Sequence, residues 1–379
     1  MNEGLPPTLK VLAIASSGSL GGAELSLAEF LLWRPPHVRV EALLVGDGPL
    51  RERLTEQGVA TRVLRGYEGR PTARGLARFT RSLLTVLRDA RPDVVWATGV
   101  KAASLTVAAG RIARVPVVWH KVDFSFDAWL ARPLAIAANG VVSVSEAVAR
   151  PLGALRGRRL LGVIGPPVRL PDELVVTPNE SEPTIGTLAS LTPYKGHQHI
   201  IEAAEILSGE FPRLRVLLAG PPSPDYPDYP RELEALIDRL GLAERVQFTG
   251  FVAEVGEVLG RLTVFVNATY RDGAGFGLEG LSGAMLEASW VGLPVVATRG
   301  GGTAEGMRDG VTGTLVEAAD PAGLATALGT YLRDPELARR TGQAGRRFTR
   351  ERFAPAAASA RLFEVLSQVA FRGTAAKRA

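Results

Sequence analysis

The sequence predicts an α/β protein built from two doubly wound, Rossmann-like domains that face each other across a cleft. Three observations predict it. Short aliphatic or β-branched runs alternate with amphipathic, Arg- and Ala-rich stretches, as in parallel strands joined by helices. The series occurs twice along the chain. At 379 residues the chain also exceeds what one hydrophobic core normally holds.

In order, the first series reads KVLAIAS, VRVEALLVG, DVVWAT, VPVVWH and GVVSVS. The segment GVIGPPVRLPDELVVTPNESEP then breaks the pattern, being rich in proline and acid and without a helical period, and reads as an interdomain linker. The second series reads PTIGTLAS, RVLLAG, RVQFTG, TVFVNA, LPVVAT and TGTLVE. A helical pattern, RERFAPAAASARLFEVLSQVAF, closes the chain with no strand after it. The boundaries expected are 1–168 for the first domain, 169–351 for the second, and a terminal helix over about 352–379 that packs back on the first. In such folds ligands bind at the carboxyl ends of the strands.

A hydrophobic content of 46% with 22% charged residues is that of an ordinary globular chain. The first residues carry an acid before a short apolar stretch, unlike a signal peptide, and no segment reaches the eighteen or so apolar residues of a membrane span. A cytoplasmic chain is expected. Zero cysteines excludes disulfides and thiolate metal sites. The net charge of +5 admits an anionic partner. Aromatics are only 6% and scattered, so no nucleic-acid module is read.

The most informative stretch is EGLSGAMLEASWVGLPVVATRGGG, Glu279 to Gly302. Gly280 and Gly283 would each cost about 1 kcal/mol inside a helix, so the helix is expected to begin near Ser282 to Ala284. Its first backbone N–H groups would then lack partners and suit an anion. Glu279 would stand on the approach and Glu287 about one turn in. Carboxylates on either side of a phosphate site suit a ligand with a sugar at each end of a diphosphate.

The segment closely resembles the signature of retaining glycosyltransferases of family 4, which have the two-domain GT-B fold. The resemblance implies that Glu279 meets donor-sugar hydroxyls, that Glu287 holds the ribose, and that Gly280, Leu281, Ser282 and Gly283, through to Met285, offer backbone N–H groups to the diphosphate. SSGSLGGAELSLAEFLL places Gly21 and Gly22 between the first strand and its helix, as in the family's glycine loop. The glycines do not keep a dinucleotide-binding spacing, which counts against an NAD enzyme.

GTLASLTPYKGHQHIIEAAEIL resembles the segment that brings an arginine and a lysine to the leaving phosphates. Lys195 matches the lysine, but Ser190 stands at the arginine position, so either Arg299 or another cation compensates or the enzyme is weaker. RVPVVWHKVDFSFD resembles the stretch that carries an active-site histidine. Val122 stands at that position, with His120 two residues before it on the same strand face and therefore a candidate to serve nearby. Asp123 is a further candidate on the acceptor side, and Glu305 matches a recurring family glutamate expected to fix its loop. The proline-rich PPSPDYPDYP loop reads as solvated.

The expected reaction is therefore transfer of a sugar from a nucleotide-sugar donor, a UDP- or GDP-sugar, to an acceptor hydroxyl with retention at the anomeric carbon. The catalytic candidates are Lys195, Glu279 and His120. No cofactor and no metal are expected. The acceptor would be a glycan, a lipid-linked sugar or a small molecule. A GT-B epimerase and a catalytically degenerate, partner-binding homologue are the alternatives. Finally, TARGLARFTRSLLTVLRDARP is a basic amphipathic helix with Arg74, Arg78 and Arg81 on one face, a pattern that by itself reads as a solvated face; members of the resembled family meet lipid acceptors through basic helices of the first domain, so the resemblance implies peripheral contact at the inner membrane face.

Overall fold

A computed structural model describes residues 8–65, 73–176, 182–271 and 277–375. The chain divides into two compact units, one of residues 1–167 with 354–379 and one of residues 168–353. Each is built on a parallel sheet.

In the first unit the order is β1 (Leu9–Ala15), α1 (Gly22–Leu32), β2 (Val38–Val45), α2 (Pro49–Glu56), β3 (Ala60–Leu64), α3 (Ala73–Ala90), β4 (Val94–Thr98), α4 (Gly99–Ala113), β5 (Val117–Lys121), α5 (Ala131–Ala137), β6 (Gly140–Ser143), α6 (Glu146–Ala149), α7 (Arg156–Arg159) and β7 (Leu160–Val163). The sheet order β3-β2-β1-β4-β5-β6-β7 is the doubly wound arrangement, with the switch between β1 and β4. Buried on both faces, β1 and β4 are nearly all apolar, and β5 is apolar up to the buried His120 and Lys121 at its end. The sequence reading missed the two edge strands. In β3, ATRVL, the pattern is half-polar and partly exposed, and β7 lies where the chain was read as entering the linker.

The second unit contains β8 (Thr184–Leu188), α8 (His197–Leu207), β9 (Arg215–Ala219), α9 (Tyr229–Arg239), β10 (Val246–Gly250), α10 (Val255–Leu259), β11 (Val264–Asn267), α11 (Gly283–Trp290), β12 (Val295–Thr298), β13 (Thr314–Val316), α12 (Pro321–Arg333) and α13 (Pro335–Phe353). Its sheet order, β10-β9-β8-β11-β12-β13, repeats the same winding, and its strands coincide with the six runs read from the sequence.

The linker is not free chain over its described part. Val176 N–H donates to Val291 O at 2.9 Å, Trp290 Nε1–H donates to Pro171 O at 3.2 Å, and Arg346 donates to Leu174 O at 2.5 Å. These bonds strap residues 168–176 onto α11 and α13. The strap also carries Arg169, which pairs with Glu287 of α11.

Pro355 stops α13 and starts α14 (Pro355–Ala375). Residues 376–379, which the sequence reading included in that helix, lie outside the described residues. Its Leu362, Phe363, Leu366 and Val369 enter the core of the first unit beside Phe30 and Trp96. His120 points into this same core. It is 2% exposed, its ring lies 5.8 Å from Phe30 and 5.9 Å from Trp96, and burial pushes its imidazole down to about 4. In the unfolded chain the ring titrates near 6.5, so between about pH 6.5 and 4 the unfolded state binds the extra proton and stability falls as pH falls. The full effect is about 3 kcal/mol. His120→Phe should therefore flatten the decline in unfolding temperature between pH 6.5 and 4.5. An unchanged slope would contradict a neutral buried ring.

Candidate donor-binding site

The site is assembled at the carboxyl end of β11 in the second unit. β11 ends at Asn267, whose Nδ2–H donates to Glu279 Oε2 at 2.8 Å. Lys195 forms an ion pair with Oε1 of the same carboxylate. Lys195 closes a short 3-10 turn, Pro193–Lys195, and Gly196 follows at φ 73°. A Cβ at Gly196 would stand 2.2 Å from Ala268 O, so the turn seats directly against the end of β11, and only glycine permits it. Tyr270 N–H donates to Tyr194 O at 2.9 Å and fixes the same contact. The lysine is thus presented to Glu279 by backbone packing.

The triple glycine has a similar origin. Gly301 sits at φ 53°, where a Cβ would lie 2.2 Å from Glu279 O, and Gly302 N–H donates to that oxygen at 2.9 Å. The loop after β12 therefore closes on the backbone behind Glu279. Burial alone would push the Glu279 carboxyl up. The charge of Lys195 and hydrogen bonds from Asn267, Lys195 and Ser282 outweigh this and hold it below the ordinary range. The anion is ready to accept hydroxyl donors.

Helix α11 begins as the sequence reading expected, with Ser282 as N-cap. One of its first N–H groups is already met, because Ser282 Oγ accepts from Met285 N–H at 3.4 Å. Gly280, Leu281 and Gly283 lead into the helix, and Gly283 is exposed. Glu287, one turn on, is only 2% exposed.

Sequence reasoning missed its partner. Arg169, on the strap of residues 168–176, donates through Nε to Glu287 Oε1 at 2.6 Å, and its NH2 lies 2.6 Å from the same oxygen. No motif pointed to it, since the pairing spans 118 residues and the arginine sits in a proline-rich segment.

The other expected residues have settings of their own, each within its own unit. His120 is 2% exposed and packed against Phe30 and Trp96 in the first unit's core, a setting that counts against the catalytic role expected of it. Arg299 does not replace the missing arginine, because it is half-exposed and paired with Asp309 and Glu317. Ser190 follows β8, with its backbone N against Gly220. In the first unit Gly21 caps α1 and Gly22 opens it. The close backbone approach there belongs instead to Gly18, where a Cβ would lie 2.5 Å from the Asp47 carbonyl carbon. Asp123 accepts from Ser125 N–H at 2.9 Å, and Glu305 ends a 3-10 turn after the triple glycine. Among the described residues no group of three or more His, Asp or Glu side chains is arranged to hold a metal ion.

Residues 173–348 match the family model described as glycosyl transferases group 1, and residues 21–164 match the glycosyl transferase 4-like domain. The chain belongs to the group 1 glycosyltransferases. The GDP-mannose-dependent α-(1-6)-phosphatidylinositol monomannoside mannosyltransferase of Mycolicibacterium smegmatis is 37% identical over 189 residues, covering 49% of this chain and 48% of that protein. A D-inositol 3-phosphate glycosyltransferase of Streptomyces scabiei is 34% identical over 160 residues, covering 41% of this chain and 34% of its own length. The matched region thus spans at most about half the length of these curated relatives. HepE of Anabaena, in a crystal structure with UDP, superposes with a TM-score of 0.81 at 24% identity, covering 95% of this chain and 100% of that one. A second HepE structure, with UDP-glucose, gives 0.79 at the same identity and coverage. The likeness to HepE is one of fold.

The Arg169 pairing makes a sharp expectation. Arg169→Ala strands a buried carboxylate and should cost about 3–5 kcal/mol. Adding Glu287→Gln removes the stranded charge and should recover much of that loss. Chemical denaturation of the four proteins of this double-mutant cycle tests it, and additive effects would contradict the coupling.

Proposed function

We propose that this protein transfers a glycosyl group from a nucleotide sugar, a UDP- or GDP-sugar, to an acceptor hydroxyl with retention at the anomeric carbon. The observation that carries the reading is the pairing of Glu279, held ionised by Lys195 and Asn267, with a capped helix start that leads to the buried Glu287. In this reading Glu279 orients donor-sugar hydroxyls, Glu287 accepts from the ribose, and Lys195 with the entry to α11 receives the diphosphate. The family membership and the nucleotide named for the mycobacterial relative support it, as does the fold shared with HepE.

The protein's share of the chemistry is positioning and stabilisation of charge on the departing diphosphate, as an oxocarbenium-like centre is attacked on the face from which the leaving group departs. The departing phosphate helps to take the acceptor proton, so no protein nucleophile is needed. Lys195 and the α11 N–H groups supply the positive field, and we infer that turnover needs no divalent metal. Acceptors in scope are glycans, lipid-linked sugars and small molecules.

Thermal unfolding with a panel of nucleoside diphosphates and their sugars tests the donor assignment. One base should stabilise the protein, by about 2.7 kcal/mol at a hundredfold excess over its dissociation constant. No stabilisation by any nucleotide would overturn it. With the stabilising sugar nucleotide, transfer to an acceptor should survive chelation of divalent ions, and the unused donor should keep its sugar configuration. Recovery of an epimerised donor would instead identify an epimerase.

A further inference from the structure

The second unit carries a charged cavity at the end of its sheet opposite the donor cluster. Strands β8, β9 and β10 run parallel, so their amino ends lie together, whereas Lys195 and Glu279 stand at the carboxyl end. The five residues of β8 put about 13 Å between the two ends. At the amino end Arg215 N–H donates to Pro183 O at 2.9 Å and Val216 N–H donates to Arg245 O at 2.8 Å, which ties together the segments that lead into the three strands.

A cavity of about 240 Å³ opens there, and its lining includes Thr184, Arg215, Glu244, Arg245, Gln247 and Arg261. Three guanidinium groups around one small space repel one another, so their convergence needs a physical reason. Internal neutralisation does not supply it. Arg215 donates to Glu244 O at 3.1 Å, Arg245 donates to Ser208 O and Phe211 O at 3.4 Å each, and Arg261 donates to Gln247 Oε1 at 2.7 Å. Every one of these acceptors is a carbonyl or an amide, and among the described residues none of the three arginines is ion-paired. Elsewhere in the unit Arg169, Arg299, Arg333, Arg339 and Arg350 each meet a carboxylate.

The neutral acceptors therefore orient the three forks without cancelling their charge. A guanidinium has five N–H donors, of which the bonds named use at most two. A fixed fork with donors to spare suits an oxyanion that it can grip at two points. The three arginines against Glu244 leave the lining at a net +2. A phosphate group carries about −1.5 to −2 at neutral pH and matches that charge, whereas a single carboxylate would leave the lining positive. The cavity is smaller than the roughly 300–1,000 Å³ of sites that take drug-sized ligands, so it suits a phosphate group and not a whole sugar nucleotide.

We propose that the amino ends of β8, β9 and β10 form a second anion site, which binds a phosphate dianion through Arg215, Arg245 and Arg261. The site stands on its own geometry and does not depend on the donor assignment. Free phosphate and the phosphomonoester of a small metabolite present the same group to it.

Equilibrium dialysis of the full chain at low salt, against radiolabelled inorganic phosphate and separately against glycerol 3-phosphate, tests this. Both probes are run with the natural protein, with Lys195→Ala and with Arg215→Gln/Arg261→Gln. Arg245 is left intact because it also holds Ser208 O and Phe211 O. The natural protein and Lys195→Ala should bind alike, and the arginine variant should lose on the order of a hundredfold in affinity, about tenfold for each charge-assisted contact. Its unfolding temperature without phosphate should be unchanged, since Arg215 and Arg261 are exposed. Either probe binding in this pattern supports the site, and the tighter of the two identifies the source of the phosphate. Binding that survives in the arginine variant, or that disappears in Lys195→Ala, would overturn the proposal, as would no binding of either probe. A Glu-rich peptide that displaces both probes and is lost with the same arginines would also overturn it, by making this surface a protein contact.

Discussion

Burying an ionised carboxylate costs several kcal/mol unless a cation and hydrogen-bond donors meet it. The second unit does this twice, at Glu279 and Glu287. Neither cation comes from the segment between them. Lys195 arrives from the turn after β8 and Arg169 from the strap of residues 168–176. Much of the local architecture exists to deliver those charges. Gly196 lets the lysine turn seat on β11, Gly301 lets the loop after β12 close behind Glu279, and Trp290 and Arg346 hold the strap that carries Arg169.

The two carboxylates are not equivalent. Glu279 has a side chain about a sixth exposed, with its oxygens divided between a lysine and an asparagine. Glu287 is enclosed, with its arginine on one oxygen. A ligand hydroxyl reaching Glu279 meets a partly exposed carboxylate whose two oxygens are shared by an ammonium and an amide. Reaching Glu287 means adding to a rigid guanidinium contact that stays in place. This division suits a site in which one end of the ligand is anchored and the other end reacts.

Much of this was legible in the sequence, for identifiable reasons. Strands buried on both faces must be largely apolar, so β1, β4, β11 and β12 stood out, whereas β3, with Ala60 and Arg62 exposed and no residue fully buried, did not. The start of α11 was readable because glycines flank a hydroxyl N-cap. Arg169 was illegible, because an ion pair across 118 residues leaves no local pattern. His120 misled for the opposite reason. Period-two alternation places it on the face of Val118 but cannot say that α14, far along the chain, closes over that face with Phe363.

The central claim is that Lys195, poised on Glu279, is the cation that receives the donor's terminal phosphate. Calorimetric titration of the preferred nucleoside diphosphate and its monophosphate, in the natural protein and in Lys195→Ala, tests it most directly. Glu279→Gln serves as a control that keeps the lysine. The expected result is that the diphosphate binds more tightly than the monophosphate in the natural protein and in the control, and that Lys195→Ala removes most of that preference. An undiminished preference in Lys195→Ala, in a folded protein, would contradict the assignment.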